Sequence, residues 1–336
     1  MTSRSFVSPP ALANASRRSA IAVVVAGIAL SGVGVLHAQP SYPSKPVRII
    51  VPFSAGTSPD VIARMWSERF AKATGQAAVV ENRPGASTSI AAQAVAVAPA
   101  DGYTLLWTVN NTFSINPYVH KKLPYKADDF VPVTQILSVP YVLVVSAESK
   151  VRTLEDLARE AKSKPGAMSY GSPGIGTGPH VAMARFLNMA GVSMTHVPYK
   201  DYFGPDLIAQ RLDVAFDATT TALAHIKGGK FRALGVSSPK RIDALPGVPA
   251  IAETYPGFVG DSWMGIFAPK GTPDNIVATI VAQSQRIVES PDFRAALLRD
   301  YGLTPAGSSS EAFRSFLAED ARAWAKVVKD NSIVVE

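Results

Sequence analysis

Short apolar runs alternate along most of this chain with segments whose apolar residues recur at helical spacing. That alternation predicts an α/β architecture with mainly parallel sheets. Residues 47–52 (VRIIVP), 77–81, 103–109 and 141–146 (YVLVVS) read as buried strands, and 169–171, 195–198, 214–216 and 233–237 as further short ones. A helix is expected over 59–74, with Ser58 as a good N-cap, Pro59 in the first turn and Gly75 after the end. Others are expected over 89–98, from the cap Thr153 through Lys164, over 180–190 and near 222–227. From Thr272-Pro273-Asp274 onward the pattern turns purely helical, with starts also at Asp292 and Ser310. No repeat and no Gly/Ser linker divides the chain, so two lobes would be joined by a chain that crosses between them more than once.

The first residues change the picture of where the chain works. Arg17 and Arg18 precede a 17-residue run from Ala20 to Leu36 built of Ala, Ile, Val, Leu, Gly and one Ser, and His37-Ala38 offers a small residue for cleavage. This is the order of a secretory signal peptide over residues 1–38, shorter than the roughly 20 residues a spanning helix needs. The expected compartment is the periplasm. Residues 1–38 hold three arginines and no acid, so the formal charge of +7 falls to +4 without them. No run of like charges remains, and nucleic acid is not implied. With no Cys in the chain, disulfides, a thiol nucleophile, thiolate metal sites and a lipidated cysteine are all excluded.

Candidate chemistry sits in loops. Phe53, Ser54, Ala55, Gly56 and Thr57 lie between a strand and the helix at Pro59; Ser87 and Thr88 precede the helix at Ser89; Ser172, Gly176 and Thr177 precede the helix at His180. Ligands of open parallel sheets sit beyond the carboxyl ends of the strands. Helix starts there offer unpaired N–H groups and partial positive charge, so several together can hold a carboxylate without an Arg; the plainer alternative is caps and turns. Asp60 falls in a first helical turn, where the dipole alone favours an acid. Asp217 opens another strand-to-helix loop and could meet a ligand amine or merely cap. Trp263 could wall a cleft or pack in the core. His180 reads as a brace for its loop ahead of an acid–base group. Gly174-x-Gly176-x-Gly178 breaks dinucleotide-loop spacing, and no Walker lysine, G-x-S-x-G elbow or helical His pair is present. No cofactor and no metal are expected.

Several segments together resemble one family: Tyr42-Pro43-x-Lys45-Pro46-Val47, Val80-Glu81-Asn82-Arg83-Pro84-Gly85-Ala86, Asp101-Gly102-Tyr103-Thr104, Ser172-Pro173-Gly174-x-Gly176-Thr177-x-x-His180, His196-Val197-Pro198-Tyr199-Lys200 and Ala268-Pro269-x-Gly271-Thr272-Pro273. They resemble the substrate-binding proteins of tripartite tricarboxylate transporters, the Bug family of periplasmic receptors, over nearly all of the chain after residue 38. The resemblance implies a periplasmic-binding-protein-like fold of two lobes joined by two crossover segments with a ligand cleft between them. Lobe 1 would span 39–140 plus 264–336 and lobe 2 141–263. It implies capture of a small mono-, di- or tricarboxylate, aromatic acids included, by a monomer that passes it to large and small permease subunits. Contacts carried over fall on residues 53–57, Ser87, Thr88, Ser172, Thr177, His180 and the loop at Asp217. The chain departs from the pattern at Gly56-Thr57-Ser58-Pro59-Asp60, at Ser87-Thr88-Ser89 and, in a shortened segment, at Asp201-Tyr202-Phe203-Gly204-Pro205, which places Phe203 among the cleft candidates. Alternatives are a receptor for a sensor kinase and an exported enzyme using His180.

Overall fold

The computed structural model describes residues 1–3, 5–8 and 42–335, so the expected signal peptide lies almost wholly outside the described residues. In chain order the main elements are β1 (Val47–Val51), α1 (Ser58–Thr74), β2 (Ala78–Asn82), α2 (Ser89–Ala96), β3 (Thr104–Val109), β4 (Phe130–Val139), β5 (Tyr141–Ser146), α3 (Leu154–Ser163), β6 (Ser169–Ser172) and α4 (Gly178–Ala190). There follow β7 (Thr195–Pro198), α5 (Gly204–Ile208), β8 (Val214–Ala218), α6 (Thr219–Lys227), β9 (Phe231–Val236), β10 (Ser262–Pro269), α7 (Asp274–Glu289), β11 (Thr304–Pro305) and α8 (Ser310–Asp330). They build a six-stranded sheet of order β11-β4-β10-β3-β1-β2 and a five-stranded sheet of order β7-β6-β8-β5-β9.

Each sheet is covered on both faces, which is why its strands read as near-continuous apolar runs. Along β1 the side chains alternate: Val47, Ile49 and Val51 pack with Trp66 and Phe70 of α1, and Ile50 packs on the other face with Ala91, Ala92 and Val95 of α2. Along β5, Leu143 and Val145 face Val181 and Phe186 of α4, and Val142 and Val144 face Leu207 of α5 and Leu223 of α6.

β1, β2 and β3 run parallel, as do β6, β7 and β8, so their carboxyl ends share one edge in each sheet. β4 and β10 pair antiparallel, with Val139 opposite Ser262, and β10 in turn sets Met264 opposite Val109 at the end of β3. β5 starts opposite the end of β8, Tyr141 against Ala218, and β9 ends beside it, Val236 against Val142. The chain therefore passes from sheet to sheet at 139–141 and at 237–262, both at the carboxyl edges, which brings those edges to face each other. Tyr141 and Ser237 bind the two passages together: Ser237 N–H donates to Tyr141 O (2.8 Å) and Tyr141 N–H to Ser237 Oγ (2.8 Å).

Three features differ from the reading of the sequence. Thr57, not Ser58, holds the N-cap position of α1, because helical backbone begins at Ser58. The strands β4 and β10 and the helical turns at 111–119 have no clear signature. β4 carries buried Thr134 and Gln135, satisfied by Thr134 Oγ1 donating to Ser308 O (2.7 Å) and Gln135 N–H to Ser308 Oγ (2.9 Å). β10 is buried throughout and contains Gly265, where a Cβ would stand 2.5 Å from Phe313 of α8. Finally, α8 does not keep to the first sheet. Phe313 packs with the first sheet's aromatic cluster, but Trp324, Val327 and Val328 pack with the second sheet's core, so this 21-residue helix ties the two together.

Candidate ligand-binding site

The three loops singled out in the sequence sit at these facing carboxyl edges. In the first, Ser54, Ala55 and Gly56 are exposed at the start of α1, and Gly56 has φ of +83° with open space, free of any atom within 4 Å, where a Cβ would stand. The loop is held from beneath. Asp60, 2% exposed, accepts from Gly56 N–H (2.9 Å), Arg64 Nε (3.0 Å) and Asn82 Nδ2 (2.7 Å), and Asn82 also donates to Phe53 O (2.9 Å). Burial alone would raise the Asp60 pKa, but the donors from Arg64, Asn82 and Gly56 outweigh it and hold the carboxyl below its usual range. Both Asp60 oxygens are thus spent on the protein: Asp60 braces the loop and does not itself present a carboxylate to a ligand. Thr57 Oγ1 donates back to Ser54 O (2.7 Å), closing the turn.

In the second loop Gly85, Ala86, Ser87 and Thr88 all have positive φ, at 125°, 45°, 49° and 79°. A left-handed non-glycine residue costs on the order of 1 kcal/mol, so three in succession need support. Asn116 Nδ2 supplies it by donating to Ser87 O (2.5 Å), and Thr88 Oγ1 pairs with Thr112 Oγ1 (2.8 Å). Ser87 stays exposed, whereas Thr88 is only 6% exposed. Thr88 therefore belongs to an interior hydroxyl chain with Thr112 and Thr108, a correction to its reading as a cleft contact.

The third loop is the most enclosed. Ser172 is wholly buried, its hydroxyl 2.7 Å from His196 Nε2; Gly176 N–H donates to His180 Nδ1 (3.1 Å) and Thr177 Oγ1 to Gly174 O (2.8 Å). His180 and His196 stack 4.0 Å apart, with Tyr170 stacked 4.8 Å from His196. Burial, and for His180 the neighbouring His196, pushes both imidazoles down to about 4. They are neutral at physiological pH, and the His180 Nδ1 lone pair is occupied by a backbone N–H. His180 accordingly supports the loop. Asn111 Nδ2 reaches across from the end of β3 to Gly176 O (3.2 Å), joining the two edges directly.

On the same second edge, Asp217 is 5% exposed and takes hydrogen bonds from Tyr202 Oη (2.7 Å) and Thr221 Oγ1 (2.5 Å). Burial raises its pKa against those donors. Two further aromatic expectations are corrected. Phe203 is 2% exposed among Val142, Leu207 and Leu212, so it is core, and its neighbour Tyr202 is the exposed ring. Trp263 is 1% exposed, packs edge-on against Phe313 at 5.4 Å and donates to Asp320 Oδ2 (2.7 Å), so it walls no cleft. His196, Asn82, Arg64 and Asn116 escaped the sequence reading. Asn82 and His196 lie in the Asn82-Arg83-Pro84-Gly85 and His196-Val197-Pro198 motifs, Arg64 stands one helical turn after Asp60, and Asn116 has no such sign.

A cavity of about 460 Å³ lies elsewhere, lined by residues 238–244 and Asp261 of the second passage together with Ser138 and Leu303, and none of the three loops lines it. Among the described residues no cluster of three or more His, Asp or Glu could hold a metal ion, and no helix is long and apolar enough to cross a membrane.

Two sheets with facing carboxyl edges, joined by paired passages, define a periplasmic-binding-protein-like fold. The chain belongs to the tripartite tricarboxylate transporter family of receptors, whose family model matches residues 62–333. It is 33% identical over 322 residues to Protein BugT of Bordetella pertussis, covering 92% of this chain and 96% of that one. Among solved structures it is similar to R. palustris Rpa4515 with adipate (33% identity, TM-score 0.78, 87% of this chain and 99% of that one). It is also similar to MatC from Rhodopseudomonas palustris with bound malate (29% identity, TM-score 0.73, 85% and 100%).

Proposed function

We propose that this protein captures a small carboxylate in the periplasm, between two lobes built on the two sheets, and delivers it unchanged to the large and small permease subunits of a tripartite transporter. The observation that carries this is the first loop. Small residues at 54–56 lie exposed at the start of the 17-residue helix α1, and the one acid beneath them is neutralised by Arg64. The positive end of α1 is therefore left to attract an anion. Ser87 lies on the same edge, and Thr177 belongs to the loop at the opposite one. The ligands of Rpa4515 and MatC, both carboxylates, support the same reading.

The test is a thermal-shift screen of mono-, di- and tricarboxylates on the protein lacking residues 1–38. A true ligand at 100 times its Kd stabilises the folded form by about 2.7 kcal/mol. Thr57→Trp and Thr177→Trp are expected to abolish the shift while the variants stay folded. No shift with any acid would defeat the proposal, and recovery of a chemically altered ligand would defeat its transport half.

A further inference from the structure

The second edge carries an arrangement that the general grip on a carboxylate does not use. β7, β6 and β8 lie side by side and end together, so the segment after β7, the loop after β6 and the residues at the end of β8 adjoin. Tyr199 N–H donates to Ser172 O (2.9 Å), which fixes the first of these against the second. From this segment Tyr202 reaches over to β8, its hydroxyl donating to Asp217 Oδ2 at 2.7 Å. Its ring stacks on His225 of α6 (5.6 Å, 20°) and remains 41% exposed.

We propose that Tyr202 and Asp217 make the second edge select monocarboxylates with an uncharged far end, whether apolar, aromatic or bearing a hydrogen-bond donor, over dicarboxylates. The inference rests on the carboxylate reading above. Asp217 takes its side-chain hydrogen bonds from the hydroxyls of Tyr202 and Thr221, with the Ala218 backbone and His225 of α6 also beside it, and no Lys or Arg forms an ion pair with it among the described residues. An acid so placed repels a second ligand carboxylate, and specificity of this kind comes from an unfavourable charge contact with the wrong ligand. Tyr202 has already committed its proton to Asp217. What it offers a ligand is a ring face and phenol oxygen lone pairs, which suit an aromatic or donor-bearing end. No cation occurs at 53–57, 85–88 or 172–178 to hold a second carboxylate. The one cation beside Tyr202 on its segment, Lys200, is exposed, forms no ion pair among the described residues, and is followed by exposed Asp201.

Calorimetric titration with matched acids that differ by one carboxylate tests this: butyrate against succinate, hexanoate against adipate, benzoate against terephthalate. In at least one pair the monocarboxylate is expected to bind wild type tenfold or more tightly than its partner. Asp217→Asn should reduce that ratio tenfold or more. Tyr202→Phe, which keeps the ring and frees Asp217 from its donor, should change the ratio without loss of fold, and Lys200→Ala should leave it unchanged. Equal binding within every pair, dicarboxylate preference, or a ratio untouched by both Asp217→Asn and Tyr202→Phe overturns the inference while the carboxylate reading stands. Binding of no acid at all by wild type overturns both.

Discussion

The two edges that face each other are built on opposite plans. The first exposes backbone: Ser54, Ala55, Gly56 and Ser87 lie open, and the side chains that shape them, Asp60, Arg64, Asn82 and Asn116, work from below. The second encloses its polar groups: Ser172, His180 and Asp217 are each under 10% exposed, and an aromatic ring is what meets the opening. Backbone and helix dipole recognise any carboxylate much alike, whereas a buried acid and a tyrosine discriminate. On the proposed reading, this difference would give affinity to one edge and choice of ligand to the other, and separate substitutions on the two edges can break or sharpen that division.

The largest effect is expected from Asp60→Ala. Arg64, Asn82 and the Gly56 amide would lose their shared acceptor; Arg64 is half exposed and can turn to water, so the loss of these charge-assisted hydrogen bonds costs about 2.5 kcal/mol. Chemical denaturation should register that loss. Affinity for every acid should fall together, by tenfold or more, with the order of preference among acids unchanged. A changed order would mean that the first edge also chooses the ligand.

Next comes the joint between the edges. Asp261 lies in the second passage, where Ser237 Oγ donates to it. Burial and, secondarily, the charge of Asp320 raise its pKa to about 7. Facing groups are Asp320, whose own neighbour is Arg185, and Lys240, Arg241, Asp243 and Arg294, which line the adjoining cavity. A folded pKa above the unfolded value means that the folded form holds the proton more tightly. This contribution to stability is therefore complete below about pH 4 and lost as pH rises through about 7. Asp261→Asn should remove that decline, gaining roughly 2 kcal/mol over wild type at pH 8. Melting curves from pH 4 to 8 that run parallel for the two proteins would show that Asp261 is not the group responsible.

How far these features could be read in the sequence depends on whether their cause is local. α1, α3 and α4 were legible because caps, prolines and apolar spacing are written within each segment. The positive-end loops were legible for the same reason, as small polar residues before a helix start. β4 and β10 were not, because their burial comes from partners far along the chain: Ser308 satisfies Thr134 and Gln135, and Phe313 occupies the space at Gly265. Thr88 and Phe203 were read in the correct loops and Trp263 was left between cleft and core, because which way a side chain faces depends on packing that no local pattern contains. His196 was missed as a partner of Ser172 for a related reason: the contact forms only when β7 pairs with β6.

Two smaller substitutions bring the comparison to a point. Gly56→Ala meets no steric obstacle, since nothing lies within 4 Å, but its φ of +83° is unfavourable for alanine. The expected cost is about 1.5 kcal/mol of stability, together with weaker binding of all acids as the loop relaxes. Thr153→Ala is its counterpart at a distance. Thr153 Oγ1 accepts from Asp156 N–H (3.1 Å) at the start of α3, which follows the end of β5. β5 runs antiparallel to β8, so that end lies at the edge of the second sheet turned away from the first. Loss of this cap should cost about 1 kcal/mol, close to the Gly56→Ala figure. Affinity and preference should nevertheless remain those of wild type, because neither facing edge is touched. Equal stability losses with unequal binding would tie recognition to the facing edges themselves. If Thr153→Ala weakened binding as much as Gly56→Ala, general loosening of the fold would explain both, and the division of labour between the edges would fall.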